Sequence, residues 1–295
     1  MKIKILVVVG CLLLVGSLTG CGERSESSTY YYSPSFTKAG NIIFIKGLQS
    51  TTKDMIGSQI GSSYTESLMQ MSAAGASETL LFDVTGAPPY SMTCSPTGEY
   101  VAYGDELRNN LFNKIVIRNI STSMHSGLDR SELVFPDGVV SFDWSNDGLR
   151  IVYCTTAEVR TVKVDGSADT LVVAATDLTA VAWKYGTRIA FTHNLILSLV
   201  NSDGSGQVDL SAAASVDKAQ ISPANTNEVY GISGSSLCSV EVSAGTPATV
   251  EVMANFKGDL PRLSADGLKV VYSKTGETTG IYRLDIATKA ETKIK

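Results

Sequence analysis

The sequence has few histidines, few tryptophans and few charged residues, and each shortage excludes a class of protein. Only 2 His and 2 Trp occur among 295 residues, which excludes a His-rich metal centre and leaves few candidates for His-dependent catalysis. Charged residues are 18% of the chain, and the net charge is −5. A nucleic-acid binder needs a basic surface, and the apolar fraction of 43% is too high for a disordered chain.

Sequence motifs for catalysis are lacking as well. The chain contains no G-x-S-x-G, no H-E-x-x-H, no P-loop and no dinucleotide-binding fingerprint. His125 and His193 have no other ligand-type residues beside them in the sequence, so we interpret both as incidental. We therefore expect no cofactor and no metal. No stretch sustains a 3.6-residue apolar period, which argues against helices.

Residues 1–20 are predicted to be a targeting segment. Lys2 and Lys4 form a positive start, and the apolar run Ile5–Val15 is too short to span a membrane but suits a signal-peptide core. The sequence Leu18-Thr19-Gly20-Cys21 follows, and it resembles the bacterial lipobox. That resemblance implies that Cys21 becomes the first mature residue and carries acyl chains that anchor the protein to a membrane. The alternative is an ordinary secretory signal whose cleavage site is followed by Cys.

The residues after Cys21 set the predicted location. Residues 21–29 are small and polar, as expected of a flexible tether. Gly22, rather than Asp, follows the lipid-bearing Cys. By the same resemblance this implies the outer membrane of a Gram-negative source, facing the periplasm. Removal of the signal segment deletes two lysines and makes the mature protein more acidic, at −7.

Three cysteines remain in the predicted folded part: Cys94, Cys154 and Cys238. An odd number cannot form a complete disulfide set, and Cys94 and Cys154 stand in apolar, strand-like surroundings. We predict buried, inert thiols that act as small hydrophobic side chains. A single disulfide and a reactive thiol are the alternatives.

The clearest pattern is an internal repeat with a period near 40 residues. Each copy has an apolar strand end, a turn rich in Gly, Asp and Asn, a second strand that contains an aromatic residue, and two further short strands. The copies are centred on Ser95, Ser145, Ser264 and the less regular Ser33, Lys184 and Ser222. Six units of four strands predict an all-β, six-bladed β-propeller over residues 30–295.

The repeat also resembles a known family. The pattern W-S-P-D-G-x-x-I-A-(F/Y) is similar to the PD40 repeat of TolB-like six-bladed propellers, and Trp144–Tyr153 and Leu263–Tyr272 match it best. The resemblance implies the fold and little about function, because propellers host hydrolases, lyases, sensors and scaffolds. Trp144 and Trp183 occupy equivalent repeat positions, so both are interpreted as packing residues. Each D-G turn supplies one Asp, too few ligands for a calcium loop, so these turns are interpreted as hairpins.

The candidate binding surface is the propeller face at the mouth of the central tunnel. Gly47–Thr65 and Gly104–Asn113 are predicted to be long loops on this face, and four of the five loops between blades carry an Asp. These features predict an acidic rim suited to a cation or a basic partner segment. The alternative is that Asp begins turns and keeps such surfaces soluble. The candidate rim residues are Lys53, Asp54, Tyr90, Asp105, Arg108, Asp137, Asp177, Asp217 and Asp259.

The expected function is binding or assembly without catalysis. The protein would be a lipid-anchored monomer of the bacterial envelope, and its partner a protein segment or an envelope glycan. The alternative is a carbohydrate-active lyase or hydrolase, because some TolB-like propellers resemble oligogalacturonate lyases, which use His-rich metal sites. An enzyme should bring His193 and Arg108 into one pocket with a carboxylate. A third alternative is a structural subunit of an outer-membrane assembly.

Overall fold

The computed structural model describes residues 24–54, 58–84, 91–120, 130–210, 216–242, 248–274 and 279–295. In these ranges the regular secondary structure is β-strand, and no helix in them is long and apolar enough to cross a membrane. The strands form six four-stranded antiparallel sheets, each built from four strands that follow one another along the chain. The predicted all-β, six-bladed propeller is therefore confirmed.

Each sheet is one blade, and the first strands of blades 2 to 6 contact one another in order around the centre of the ring. Blades 1 to 3 consist of β1 (Arg24–Phe36), β2 (Ile42–Lys53), β3 (Gln59–Met71), β4 (Thr79–Val84); β5 (Met92–Cys94), β6 (Tyr100–Arg108), β7 (Leu111–Asn119), β8 (Arg130–Val139); and β9 (Ser141–Trp144), β10 (Arg150–Cys154), β11 (Glu158–Lys163), β12 (Thr170–Ala174). Blades 4 to 6 consist of β13 (Leu178–Ala182), β14 (Ile189–His193), β15 (Ile196–Val200), β16 (Val208–Asp209); β17 (Asp217–Ile221), β18 (Glu228–Ser233), β19 (Ser236–Glu241), β20 (Ala248–Met253); and β21 (Asp259–Leu263), β22 (Lys269–Lys274), β23 (Gly280–Asp285), β24 (Glu291–Lys293).

The chain divides into two compact units. The larger unit comprises Tyr30–Gly47 and Glu66–Lys295. The smaller unit contains, among its described residues, 24–29, 48–54 and 58–65. In the smaller unit the Lys53 ammonium donates to the Glu26 carboxylate at 2.7 Å. Arg24–Thr29, the later part of the predicted tether, is therefore strand in this structure, whereas Cys21 and the signal segment lie outside the described residues.

Two segments that were expected to be loops are continuous hairpins instead. β2 extends to Lys53 and β3 starts at Gln59, so most of Gly47–Thr65 is strand. In Gly104–Asn113, β6 and β7 pair up to Arg108 opposite Leu111. Asn109 and Asn110 both have positive φ, 52° and 64°, the conformation of a two-residue type I′ turn that asparagine tolerates. The loop expectation was wrong because strand pairing continues as far as these turns.

The Ser and Asp side chains of the repeated turn form hydrogen bonds within the turn, which explains why these residues recur there. In blade 3 the Ser145 hydroxyl donates to the Asp147 carboxylate and accepts from the Arg150 amide at 2.9 Å. The same Asp147 oxygen accepts from the Leu149 amide at 2.9 Å, and these bonds lower the pKa of Asp147. Blade 6 repeats the arrangement with Ser264 and Asp266. The interpretation of these D-G motifs as hairpin turns is therefore confirmed.

Six hydrophobic clusters fill the interfaces between successive blades. Blades 2 and 3, for example, share a cluster in which Phe112 meets Phe142 edge-on, with ring centroids 6.1 Å apart. Each of the other five clusters likewise combines residues from two neighbouring blades. A single blade leaves both of its faces apolar, so the blades stabilise one another only as a set.

The ring closes without strand exchange between the termini. Blade 1 is made of β1–β4 and blade 6 of β21–β24, so the closure rests on side-chain packing. Phe36 and Phe44 of blade 1 pack with Val271 and Ile281 of blade 6. The Arg283 guanidinium donates to the Ala73 carbonyl at 2.5 Å and adds a polar link across the same interface.

We expect Trp144→Phe to lower the free energy of unfolding by about 2–4 kcal/mol. The indole of Trp144 is fully buried between blades 2 and 3, and its Nε1 donates to the Thr93 carbonyl at 3.1 Å. The change loses this bond and leaves a void. Trp183 occupies the equivalent repeat position but is only partly buried. The matched Trp183→Phe should therefore cost about 1 kcal/mol or less, and equal losses in urea unfolding would contradict this assignment.

Candidate functional site

A cavity of about 430 Å³ lies where the inner strands of blades 2 to 6 begin. This is the end of the central channel at which the sequence placed the binding face. The cavity is lined by Ser91, Leu107, Asn110, Phe112, Val140, Ser141, Thr179, Ala180, Val181, Lys218, Ala219, Asp259 and Arg262. We call it the mouth cavity. Its walls combine apolar side chains with a few polar and charged groups, the composition typical of a ligand site.

The β6–β7 hairpin supplies one wall of the mouth cavity. Leu107 and Phe112 pair across the hairpin, and both line the cavity together with Asn110 of the turn. Gly104 makes room for the Phe112 ring, because a Cβ at position 104 would lie 2.4 Å from it. The segment Gly104–Asn113 was predicted to lie on the binding face. Its packing depends on glycine at position 104, where a side chain would displace the Phe112 ring.

Arg262 is the deepest charged residue of the mouth cavity. Its side chain is 8% exposed, and its Nε donates to the Met92 carbonyl at 3.1 Å. This bond joins blade 6 to blade 2, which are not neighbours in the ring, so the guanidinium spans the central channel. Burial lowers the pKa of Arg262, while the negative charges of Asp143 and Asp259 oppose that shift.

Asp143 is a buried carboxylate near the ring axis, and both of its oxygens accept hydrogen bonds from neighbouring blades. Its Oδ2 accepts from the amides of Trp183 and Lys184 in blade 4, at 3.0 and 3.1 Å. Its Oδ1 accepts from the Thr93 hydroxyl of blade 2 at 3.2 Å. Asp143 therefore ties three blades together at the axis. Its position was not predicted, because a single Asp in a short apolar strand has no distinctive sequence context.

One ion pair lies at the cavity rim. Lys218 forms an ion pair with Asp259. Lys218 lies at the start of β17 in blade 5, and Asp259 lies at the start of β21 in blade 6. Both residues line the mouth cavity. Asp259 is thus the one predicted rim residue among the described lining residues. Because this pair is neutral overall, the net positive charge of the described lining residues comes from Arg262.

The other predicted rim residues lie elsewhere. Asp105 is buried and accepts from the Glu106 amide, whereas Arg108 is exposed beside Glu106. Asp137 lines a groove between the outer parts of blades 2 and 3. Asp177 is exposed just before β13, and Asp217 begins β17.

Two rim candidates belong to the smaller unit, and one lies outside the described residues. Lys53 pairs with Glu26, and the Asp54 carboxylate accepts from the Ser58 amide at 2.8 Å. Tyr90, like His125, falls in a part of the chain that the structure does not describe. The acidic rim as a continuous surface therefore stays a prediction, with Asp259 placed at the cavity.

Blades 1 and 2 each contain a buried carboxyl group, and the two groups repel one another. Glu66 is 5% exposed and Asp105 is 6% exposed. Burial, together with the negative charge of Asp105, raises the pKa of Glu66 to about 7. Glu66 was not singled out from the sequence; it directly follows Gly47–Thr65, the segment that was predicted to be a loop.

His193 stands beside a serine and an aspartate in blade 4. Its Nε2 lies 3.1 Å from the Ser198 hydroxyl and 3.7 Å from Asp209, and Ser198 donates to Asp209 at 2.8 Å. Both contacts use the same ring nitrogen, and Ser198 is fully buried, so the arrangement lacks the accessible nucleophile of a hydrolytic triad. Arg108 lies in blade 2, and neither it nor His193 lines the mouth cavity.

Cys94, Cys154 and Cys238 are buried thiols that form no disulfide, which confirms that part of the prediction. Burial raises the pKa of the Cys94 and Cys238 thiols, which keeps them in the unreactive thiol form. Within the described part of the chain, no group of three or more His, Cys, Asp or Glu residues is arranged to hold a metal ion.

Comparison with protein-family models finds no match, and neither does comparison with curated proteins. Solved structures do match. A chain of the nidogen/laminin complex is 9% identical, with a TM-score of 0.58 over 90% of this chain and 92% of that one. The oligogalacturonate lyase of Vibrio parahaemolyticus is 13% identical, with a TM-score of 0.52 over 92% and 84%. An oligogalacturonate lyase in complex with manganese is 12% identical, with a TM-score of 0.51 over 91% and 78%. At these identities the likeness shows the propeller fold alone.

We expect Glu66→Gln to flatten the pH dependence of stability. A carboxyl whose pKa rises from 4.5 to about 7 on folding favours the folded state most below pH 4.5. That stability is lost as the pH rises towards 7, by up to about 3 kcal/mol. Urea unfolding at pH 4.5 and pH 8 should show a smaller difference for Glu66→Gln than for the wild type. Glu99→Gln, at an exposed position, is the control, and an unchanged difference for Glu66→Gln would contradict the assignment.

Proposed function

We propose that this chain is a binding module of the bacterial envelope that receives its ligand in the mouth cavity. The observation that carries the proposal is the cavity itself, which five blades build together and which contains a buried cation, a rim ion pair and an apolar wall. Such a combination of apolar lining and a few oriented polar groups suits recognition. The rim pair and the buried guanidinium provide no paired acid and base for catalysis.

The proposal includes the lipid anchor and the TolB-like family. Its support is the order of the positive start, the apolar run and the lipobox-like Leu18–Cys21, together with the PD40-like repeats. An anchored propeller would present its ligand site at the periplasmic side of the outer membrane, as a monomer. The partner would be a protein segment, and an envelope glycan is the competing ligand.

The carbohydrate-active enzyme is the second function considered, and no specific feature of the described residues favours it. Its candidates, His193 and Arg108, belong to different blades. The oligogalacturonate lyases resemble this chain at 12 and 13% identity, which extends to the fold and not to the site.

A photo-crosslinker placed at Asn110 should capture a ligand in cells that express the lipidated protein. Asn110 lines the mouth cavity, whereas the exposed Leu268 lies in a turn at the other end of its blade and serves as the control position. Thr179→Trp should fill the cavity and abolish the crosslinked product. Thr292→Trp, on the exposed outer strand of blade 6, should leave it unchanged. Equal products from both crosslinker positions, or a product that survives Thr179→Trp, would contradict the proposal.

We expect Cys21→Ala to move the protein from the membrane fraction to the soluble fraction and to abolish its labelling with radioactive palmitate. Acyl chains on one cysteine provide the hydrophobic area that holds a protein at a bilayer. Cys238→Ala is the control, because this buried cysteine should not affect labelling. Persistent labelling of Cys21→Ala would show that the lipobox assignment is wrong.

A further inference from the structure

The charge of the mouth cavity is positive at its base. Among the described lining residues, Lys218 and Asp259 form an ion pair, so the lining has a net positive charge that comes from Arg262. No carboxylate of the described residues lies within 4.0 Å of its guanidinium, and the oxygens of the nearby Asp143 already accept three hydrogen bonds. Asp143 and Asp259 therefore offset the Arg262 charge through space, and a ligand carboxylate in direct contact would add the charge-assisted hydrogen bonds that neither of them makes.

The Arg262 side chain is oriented before any ligand enters. Its Nε is engaged by the Met92 carbonyl, and its surroundings leave it 8% exposed. With Nε held, the terminal nitrogens present the planar fork that recognises a carboxylate through two parallel hydrogen bonds. Ser91, Ser141 and Thr179 line the same cavity and supply hydroxyl groups for further hydrogen bonds.

The rest of the lining indicates which carboxylate is preferred. Leu107, Phe112, Val140 and Val181 form aliphatic and aromatic wall, a surface that suits an apolar side chain better than the hydroxyl-rich faces of a sugar acid. A volume of about 430 Å³ lies in the range of small-ligand sites and is sufficient for the end of a chain. A peptide whose last residue is apolar fits both parts of the cavity. Its C-terminal carboxylate suits the Arg262 guanidinium, and its last side chain suits the apolar wall.

We propose that the mouth cavity binds the C-terminal carboxylate of a partner peptide, with Arg262 as the anion-binding residue and the Leu107–Phe112 wall as the pocket for its last side chain. This inference rests on the proposed function and specifies its ligand. Lys218 and Asp259 lie at the entrance, where the preceding peptide backbone would pass.

Paired synthetic peptides test the proposal on the full wild-type protein. Acetylated pentapeptides that end in Leu, Val, Phe or Asp are prepared with a free C-terminal carboxylate and, as twins, with a C-terminal amide. Binding is measured by saturation-transfer NMR and titration calorimetry, with D-galacturonate as the competing sugar acid. We expect the free-acid peptides that end in Leu, Val or Phe to bind at least about tenfold more tightly than their amide twins. The peptide that ends in Asp and D-galacturonate should bind more weakly.

Two variants locate the contact. Arg262→Gln should reduce the affinity for the free-acid peptides to that of the amide twins, and Arg262→Lys should retain part of it, because the charge remains but the planar fork is lost. Thermal unfolding monitors whether either variant folds. If Arg262→Gln does not fold, the comparison of acid and amide twins on the wild type still decides the question.

The outcomes separate this inference from the proposed function. Equal binding of the acid and amide peptides would overturn the carboxylate assignment, as would a preference for D-galacturonate over every peptide. Either result would leave the mouth cavity as the ligand site if crosslinking at Asn110 is abolished by Thr179→Trp. If crosslinking at Asn110 instead equals that at Leu268, or survives Thr179→Trp, the proposed function is overturned.

Discussion

The packing of each blade on its two neighbours is the interaction on which the rest of this structure depends. No strand crosses from one terminus to the other, so the contact of Phe36 and Phe44 with Val271 and Ile281 has to hold the ring closed. In the full ring each apolar blade face is covered by its neighbour, whereas a ring opened at one interface would expose the two faces of that interface to water. At about 25 cal/mol for each Å² of apolar surface, that exposure strongly favours closure.

Closure of the ring also creates the channel, where buried charged side chains find hydrogen-bond partners in other blades. Inner strands from different blades come close enough for Asp143 to accept hydrogen bonds from blades 2 and 4 and for Arg262 to donate to blade 2 from blade 6. The Arg262 contact in particular joins two blades that are not neighbours, so it depends on the arrangement of the blades around the channel. The polar site at the mouth is therefore a product of the assembly of blades, and no single blade contains it.

This dependence explains what the sequence could and could not predict. The blades follow from a local pattern, because Ser145, Asp147 and the residues around them form a turn whose hydrogen bonds lie within six residues. The free, buried cysteines follow equally from local apolar context. The Asn109–Asn110 turn had a readable signal, two adjacent residues that tolerate positive φ, and it was missed because the segment around it looked polar. Arg262 and Glu66 had no such signal, since each interacts with a residue of another blade that is distant in sequence, Met92 and Asp105 respectively.

Arg262 is hard to explain as a folding device. Its hydrogen bond to the Met92 carbonyl contributes about 1 kcal/mol or somewhat more, whereas removing a guanidinium from water is costly. An apolar side chain at this point of β21 would match its neighbours Leu263 and Met92, both of which are buried, and would stabilise the channel more simply. The same comparison for Asp147 gives the opposite result, because its carboxylate is exposed and completes a turn. Although Asp143 and Asp259 offset part of its charge, Arg262 is held in one orientation at the base of a cavity, as the proposed carboxylate ligand requires.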